Sequence, residues 1–229
     1  MKYSARAILF VLFAVLNYGC ANPAANKPKA SVANAAPETG SVKPSGAETP
    51  HVLSPENSKI EFVAAKVTRS HQGSFKRFAG TFDFVPKYWP ASQVTIEIET
   101  DSVVTDEDQL TAHLKTADFF DVAKYPKATF VSTKIESNRK IEGNNGLEGP
   151  AGNDPGPETL NVTGNFELHG IKKSITFPAT IEVWPDRLSV NAEFSINRKD
   201  FGLVYPGKAD DLIRDGVVIK LALKVPRKQ

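Results

Sequence analysis

From Val52 onward the chain alternates apolar and polar residues in eight successive blocks. Ile60, Phe62 and Ala64 face away from Lys59, Glu61 and Ala65, the two-residue period of a strand with one apolar side. Phe78, Gly80, Phe82 and Phe84 share the next apolar face, while Phe75 is out of phase with them, which predicts a one-residue bulge near Lys76-Arg77. Val94, Ile96 and Ile98 oppose Thr95, Glu97 and Glu99, and Ala128–Ile135 carries a fourth block with Phe130 inward. The remaining faces are Leu160, Val162, Gly164, Phe166 and Leu168; Ile175, Phe177, Ala179, Ile181 and Val183; Leu188, Val190, Ala192, Phe194 and Ile196; and Val217, Ile219, Leu221, Leu223 and Val225. One wet and one dry face per strand is the mark of antiparallel sheet. With so little helix available, closing the sheet on itself is the economical way to bury the dry face, so the expected fold is all-β, an antiparallel eight-stranded barrel with a short α-helix between strands.

That helix lies in Asp108–Ser132. Thr105-Asp106-Glu107-Asp108 has the form of a capping box, and Leu110, Leu114 and Ala117 then share one helical face. Asp118-Phe119-Phe120-Asp121 breaks the spacing, and Tyr125-Pro126 forbids further helix. The expectation is a lid with Leu110 and Leu114 turned inward and Phe119 and Phe120 anchoring its exit.

Ahead of the barrel, Lys2 and Arg6 precede the apolar run Ala7–Leu16, too short to span a bilayer, and residues 1–20 read as an export signal. Leu16-Asn17-Tyr18-Gly19-Cys20 resembles a bacterial lipobox with its leucine one place farther from the cysteine than usual. Cys20 is therefore the expected lipidation site, giving a membrane-anchored lipoprotein facing the periplasm, on the outer membrane where one exists. The alternative is ordinary cleavage nearby and a soluble periplasmic or secreted protein. Residues 21–52 are rich in Ala, Pro, Asn, Ser and Lys, lack aromatics, and read as a disordered tether reaching roughly 30 Å on average and about 100 Å when stretched. The barrel domain then occupies 53–229, interrupted at 138–159 by a Gly- and Pro-rich segment expected as an exposed insertion loop.

The 229 residues carry 28 basic and 26 acidic side chains, a balance that offers no electrostatic case for nucleic acid. One cysteine excludes a disulfide or cysteine-rich metal site within the monomer. The histidines His51, His71, His113 and His169 show no metal-ligand spacing, so no metal is assigned. No nucleophile elbow, phosphate-binding loop or cysteine nucleophile supports an enzyme. Asp118 and Asp121 read as turn residues bonded to backbone rather than as an acid and base pair. Arg198 and Asp200 read as a pair or cap at a strand end, the alternative being that Arg198, with Lys199, Lys172 or Lys173, receives a ligand phosphate.

Alternation cannot by itself separate a filled barrel from a hollow one. Simple hairpins place Leu168 opposite Ile175 and Val183 opposite Leu188, which sets Gly164 opposite Ala179 and Ala179 opposite Ala192. The three small residues form a low band in the wall, either an opening for a ligand or a gap filled by a bulky residue such as Phe62 or Phe82.

Three motifs then point to a family. Asp118-Phe119-Phe120-Asp121 with Tyr125-Pro126, Phe130 and Ser132; Val162–Ile171; and Asn197-Arg198-Lys199-Asp200-Phe201-Gly202 resemble, in order, those of the YceI-like, or polyisoprenoid-binding-like, domain family, over roughly Leu53 to Lys228. The resemblance implies an extended lipocalin-like barrel with a hydrophobic tunnel, no cofactor, and an isoprenoid or fatty-chain lipid as ligand. The tunnel wall is then expected from Phe62, Phe78, Phe82, Ile96 and Phe130, from Val162, Gly164, Phe166, Phe177, Ala179 and Ile181, and from Val190, Ala192, Phe194, Ile219 and Leu221. His71 and Arg198 are the expected rim or headgroup residues. Two functions follow: an envelope lipid carrier or sequestering protein, or an envelope stress or interaction protein whose lipid is structural. Partners are the lipid, the membrane through the N-terminal anchor, and, through an exposed edge, a second copy in a homodimer.

Overall fold

A computed structural model describes residues 21–37, 51–85, 89–138 and 157–226. The signal segment with Cys20, residues 38–50 and most of the insertion, 139–156, lie outside the described residues.

The strands are β1 (Ser31–Asn34), β2 (His51–Leu53), β3 (Ser58–Ala65), β4 (Ser70–Phe75), β5 (Phe78–Asp83), β6 (Gln93–Glu99), β7 (Val103–Thr105), β8 (Lys127–Ser137), β9 (Glu158–Leu168), β10 (Ile171–Val183), β11 (Arg187–Asn197), β12 (Gly207–Lys208), β13 (Asp211–Leu212) and β14 (Gly216–Pro226), with helix α1 (Asp108–Leu114) between β7 and β8. The main sheet runs β2-β5-β6-β8-β9-β10-β11-β14-β3-β4-β7, antiparallel at every pairing along this path. Its ends come back together. At one, His51 Nδ1 lies 3.0 Å from the Pro226 carbonyl of β14; at the other, β6 runs through the turn Thr100–Ser102 into β7, which pairs with β4. The sheet thus curls into an extended lipocalin-like barrel whose alternating inner faces merge into one hydrophobic core.

The bulge expected at Lys76-Arg77 is a change of partners instead. Before it β4 pairs with β3 and β7; after it β5 pairs with β2 and β6. Ser102 holds this corner, its hydroxyl accepting from the Arg77 N–H at 3.0 Å and its carbonyl from the Lys76 N–H at 3.1 Å. The shift of phase in the sequence is real, but the chain uses it to turn from one wall to the next.

Part of the segment expected as a free tether is built into the wall. β10 and β11 pair only from Thr180/Asn191 to Val183/Leu188, then splay, and β1 fills the gap. It pairs antiparallel with β10 from Ser31/Thr176 to Asn34/Lys173, while the Ala30 N–H donates to the Ser195 carbonyl of β11 and the Ser195 N–H to that of Pro28, each at 2.8 Å. Pro178, with no N–H to donate, sits at the fork. Composition misjudges this stretch because a strand wedged between two others is held by main-chain hydrogen bonds, which need no large side chain: Ala30 is buried, and Val32 half-buried. His51, also assigned to the tether, is buried in β2.

Helix α1 begins two residues later than the capping box predicts. Its N-cap is Glu107, without a side-chain bond. The Thr105 hydroxyl instead lies 2.9 Å from that of Thr111 and accepts from the Glu107 N–H at 3.3 Å, and Asp106 is drawn away to His71. Leu114 is buried and Leu110 half-buried, whereas Ala117 falls beyond the helix and is exposed. Phe119 and Phe120 are buried, and the Thr100 hydroxyl and N–H hold the Tyr125 and Pro126 carbonyls at 2.7 and 2.9 Å.

Candidate functional site

The inward faces of β3, β6, β8–β11 and β14 do not meet. They enclose an inner chamber of about 110 Å³ lined by Phe177, Ala179, Ala192 and Phe194 together with Ile60, Ile96 and Leu221. A second chamber of about 110 Å³ lies toward the end capped by α1 and the 203–213 loop, walled by Leu114, Phe119, Phe120, Leu168, Leu203 and Ile213. Phe62, Phe75, Phe166, Ile98, Ile196 and Ile219 border both chambers and form a waist. Phe62 and Phe75 lie 5.9 Å apart there, and Phe62 fits because Gly73 opposite it has no side chain: a Cβ on Gly73 would clash with the ring's Cζ.

Beyond the second chamber a wider cavity of about 400 Å³ opens between α1 and the β12–β13 hairpin. It shares Phe62, Ala64, Leu114, Phe119 and Ile213 with the second chamber, so the three spaces adjoin one another in series. This mouth has the polar groups the interior lacks. Lys66 pairs with Asp211 at 2.8 Å, and Arg69 with Glu107 at 3.6 Å. The His71 imidazole, buried, lies 3.0 Å from Asp106. Burial works against the charged Asp106, but the hydrogen bonds from His71 and the Gln72 N–H outweigh it and hold the carboxyl below its usual range. His113, Phe119 and Tyr205 form a ring cluster with centroids 5.0 to 5.3 Å apart.

The opposite end is plugged. Phe82, Phe84 and Trp89 pack in series at 5.9 and 5.4 Å. The Trp89 indole donates to Glu158 at 3.1 Å, and the Ser137 hydroxyl to the other Glu158 oxygen at 2.5 Å, leaving the carboxylate satisfied and buried.

Of the sixteen residues expected on the wall, Phe62, Ile96, Phe130, Val162, Phe166 and Phe177 border the inner chamber, as do Ala179, Val190, Ala192, Phe194, Ile219 and Leu221. The other four do not. Phe82 belongs to the plug, and Ile181 lies below the chamber floor beside Glu158. Phe78 is buried in the packed wall opposite Ile98. Gly164 is covered by the Phe130 ring, which occupies the place its Cβ would take. The small-residue band is therefore corrected. His169 and Gly170, with φ of 52° and 72°, make a two-residue turn that sets Leu168 opposite Ile171, so Gly164 faces Ile175 and Ala179 faces Leu160. Ala179 and Ala192 remain at the chamber, where Phe177 and Phe194 stack at 4.1 Å across the seam filled by β1.

Of the rim pair, His71 lines the mouth. Arg198 is 4% exposed, and its guanidinium is spent on the carbonyls of Leu203, Ile213 and Arg214 and on the Asp215 carboxylate, not on Asp200. Burial pushes its pKa down while Asp215 opposes that shift. Four of its five N–H donors are thus engaged within the protein, and it organises the loop that frames the mouth rather than standing free as a phosphate receptor. Lys199 pairs with Asp215 and Lys172 with Glu167. The Leu203, Tyr205 and Ile213 contributions escaped sequence reasoning, since alternation is absent from that loop; Pro206 and Gly207 were its only turn signals.

A sequence profile of the YceI-like domain family matches residues 51–225. A UPF0312 protein of Pseudomonas putida is 34% identical over 141 residues, 59% of this chain and 65% of the relative, so the chain spans somewhat less than two thirds of that protein. Among solved structures, BcnA of Burkholderia cenocepacia superposes with a TM-score of 0.61 at 25% identity, covering 75% of this chain and 98% of that one. A polyisoprenoid binding domain from Saccharophagus degradans, implicated in plant cell wall breakdown, gives 0.59 at 16% identity over 78% and 98% of the two chains and is alike in fold.

Proposed function

The chain belongs to the YceI-like domain family, and from that premise we propose that it binds the apolar chain of an isoprenoid or other long-chain amphiphile, carrying or sequestering it in the cell envelope. The observation that carries this reading is the run of adjoining spaces: two chambers walled almost wholly by apolar side chains, with a wider cavity bearing polar groups next to them at one end. A cavity needs only about 10–15 Å³ to admit a water, but an apolar one this size stays dry and takes apolar guests. Each methylene buried would contribute about 0.8 kcal/mol, so affinity grows with chain length and needs no charged anchor. The mouth agrees with that, because Lys66, Arg69 and His71 each already face a carboxylate. The role is binding rather than catalysis, and the Saccharophagus neighbour is itself a polyisoprenoid binding domain. The export-type N-terminus supports the envelope setting.

Native mass spectrometry of the gently purified protein tests the proposal. A stoichiometric adduct that exchanges with added long-chain lipid is expected. An empty cavity, or a guest that never exchanges, would favour the structural-lipid reading. Ala179→Trp places an indole in the inner chamber and is expected to abolish the adduct while leaving circular dichroism and the melting profile unchanged; undiminished lipid in that variant would remove the tunnel from this part of the barrel.

A further inference from the structure

Among the described residues the exposed large hydrophobics are Val52, Val67, Val204 and Leu212, and three of the four stand on the loops around the tunnel mouth. Val67 occupies the tip between β3 and β4, and its N–H donates to the Leu212 carbonyl at 3.1 Å. The neighbouring Lys66 bridges to Ile213, so the two loops form one rim. Val204, 63% exposed, directly precedes Tyr205 of the mouth ring cluster. Exposed aliphatics scattered singly mean little, but grouped around the opening of an apolar tunnel they mark an interaction surface.

The N-terminal segment shows which way that rim faces. Gly216 pairs with Asn197 at the mouth end of β11 and β14, beside Arg198 and Asp215, and a Cβ on Gly216 would lie 3.0 Å from that of Ala24. From there the chain runs along the outside of the barrel to Lys27, which pairs with Glu193 at 2.9 Å, and returns toward the mouth as β1. Ala36 ends this path, its N–H and carbonyl both held at 2.9 Å by the side-chain amide of buried Asn165. Ala24, held at the mouth end, is only four positions in sequence from Cys20, the expected anchor site.

We propose that the mouth end is a bilayer-docking surface, with Val67, Val204 and Leu212 entering the boundary between headgroups and acyl chains so that a lipid passes between membrane and tunnel without crossing water. This rests on the lipid-binding reading above. Lys66 is paired with Asp211 and Arg69 with Glu107, and the His71 imidazole is hydrogen-bonded to Asp106, so the apolar side chains rather than these groups supply the contact with the bilayer. The opposite end offers Val52 alone among these exposed residues.

Two measurements on the full chain carrying Cys20→Ser, which removes any acyl anchor and the only competing thiol, test the proposal. The first uses an environment-sensitive fluorophore on Val204→Cys or Val52→Cys, with vesicles of phosphatidylethanolamine and phosphatidylglycerol. A severalfold rise in emission at position 204 and none at 52 is expected; equal responses, or none, would overturn docking. The second follows transfer of a pyrene-labelled hexadecanoic acid out of the same vesicles. The double variant Val67→Asp/Leu212→Asp is expected to slow transfer at least tenfold with unchanged affinity for the probe in vesicle-free solution, whereas unchanged transfer would overturn the role of the rim. Should the parent chain take up no probe at all, the lipid-binding reading fails, and the fluorophore response still decides docking.

Discussion

The two ends of the barrel are made by the same strands and differ in what caps them. At the plugged end, Trp89 from the β5–β6 connection lies over Phe84 and shares buried Glu158 with Ser137, so every polar atom of that carboxylate is used internally. At the mouth, α1 and the 203–213 loop cover the opening with half-buried side chains, and the charges are paired with one another near solvent. The difference teaches that an alternating barrel is indifferent to being open or closed. Three aromatic rings in series, the last with a satisfied indole, seal one end; a short helix and a hairpin leave a passage at the other.

The largest expected effect is at the seal. Trp89→Ala removes the plug and strands Glu158, and should cost about 4 kcal/mol in a denaturant titration while giving the tunnel a second opening. A loss below about 1 kcal/mol would mean that the plug is not what distinguishes this end. Next is Arg198→Lys at the mouth. An ammonium cannot reach three carbonyls and a carboxylate together, so the loop should loosen at a cost of about 3 kcal/mol, with proteolysis falling first between Leu203 and Asp215. Asn165→Ala should cost about 1 kcal/mol and loosen the chain at Ala36 for cleavage, while Ser31–Asn34 stays held by its main-chain pairing with β10.

The smallest effect concerns pH. Asp106 has a carboxyl held below its usual range by His71 and the Gln72 N–H, so its contribution is complete above the unfolded value near 4 and is lost as pH falls through the lower folded value. Being partly exposed, it should contribute only about a few tenths of a kcal/mol after solvent screening. The stability difference between the parent chain and Asp106→Asn should accordingly shrink below about pH 4. A difference that stays constant down to about pH 2 would show that the pair does not bias the mouth.

Much of the fold was legible in sequence because a strand with one buried face declares itself locally. All eight alternating blocks are strands, and twelve inward residues such as Ile96 and Phe194 stand at the inner chamber. Register was not legible to the same degree. Assigning Leu168 to Ile175 overlooked His169-Gly170, a pair able to take positive φ at both positions of a tight turn, and that four-residue error moved Gly164 away from Ala179. Gly164 then proved to be a seat for the Phe130 ring and not an opening, as Gly73 is for Phe62.

By itself, then, the amino-acid sequence determined which side chains turn inward, that the sheet is antiparallel, and where the helix interrupts it, since each depends on a period of two or on a proline within a few residues. Only the tertiary structure decided that Ser31–Asn34 is a stave of the wall, that Arg198 is consumed by three carbonyls and Asp215, and that Trp89 closes one end while the other stays open. Those outcomes depend on groups distant in the chain finding one another's unpaired donors and acceptors. The energy resides in the meeting, and no local pattern records it.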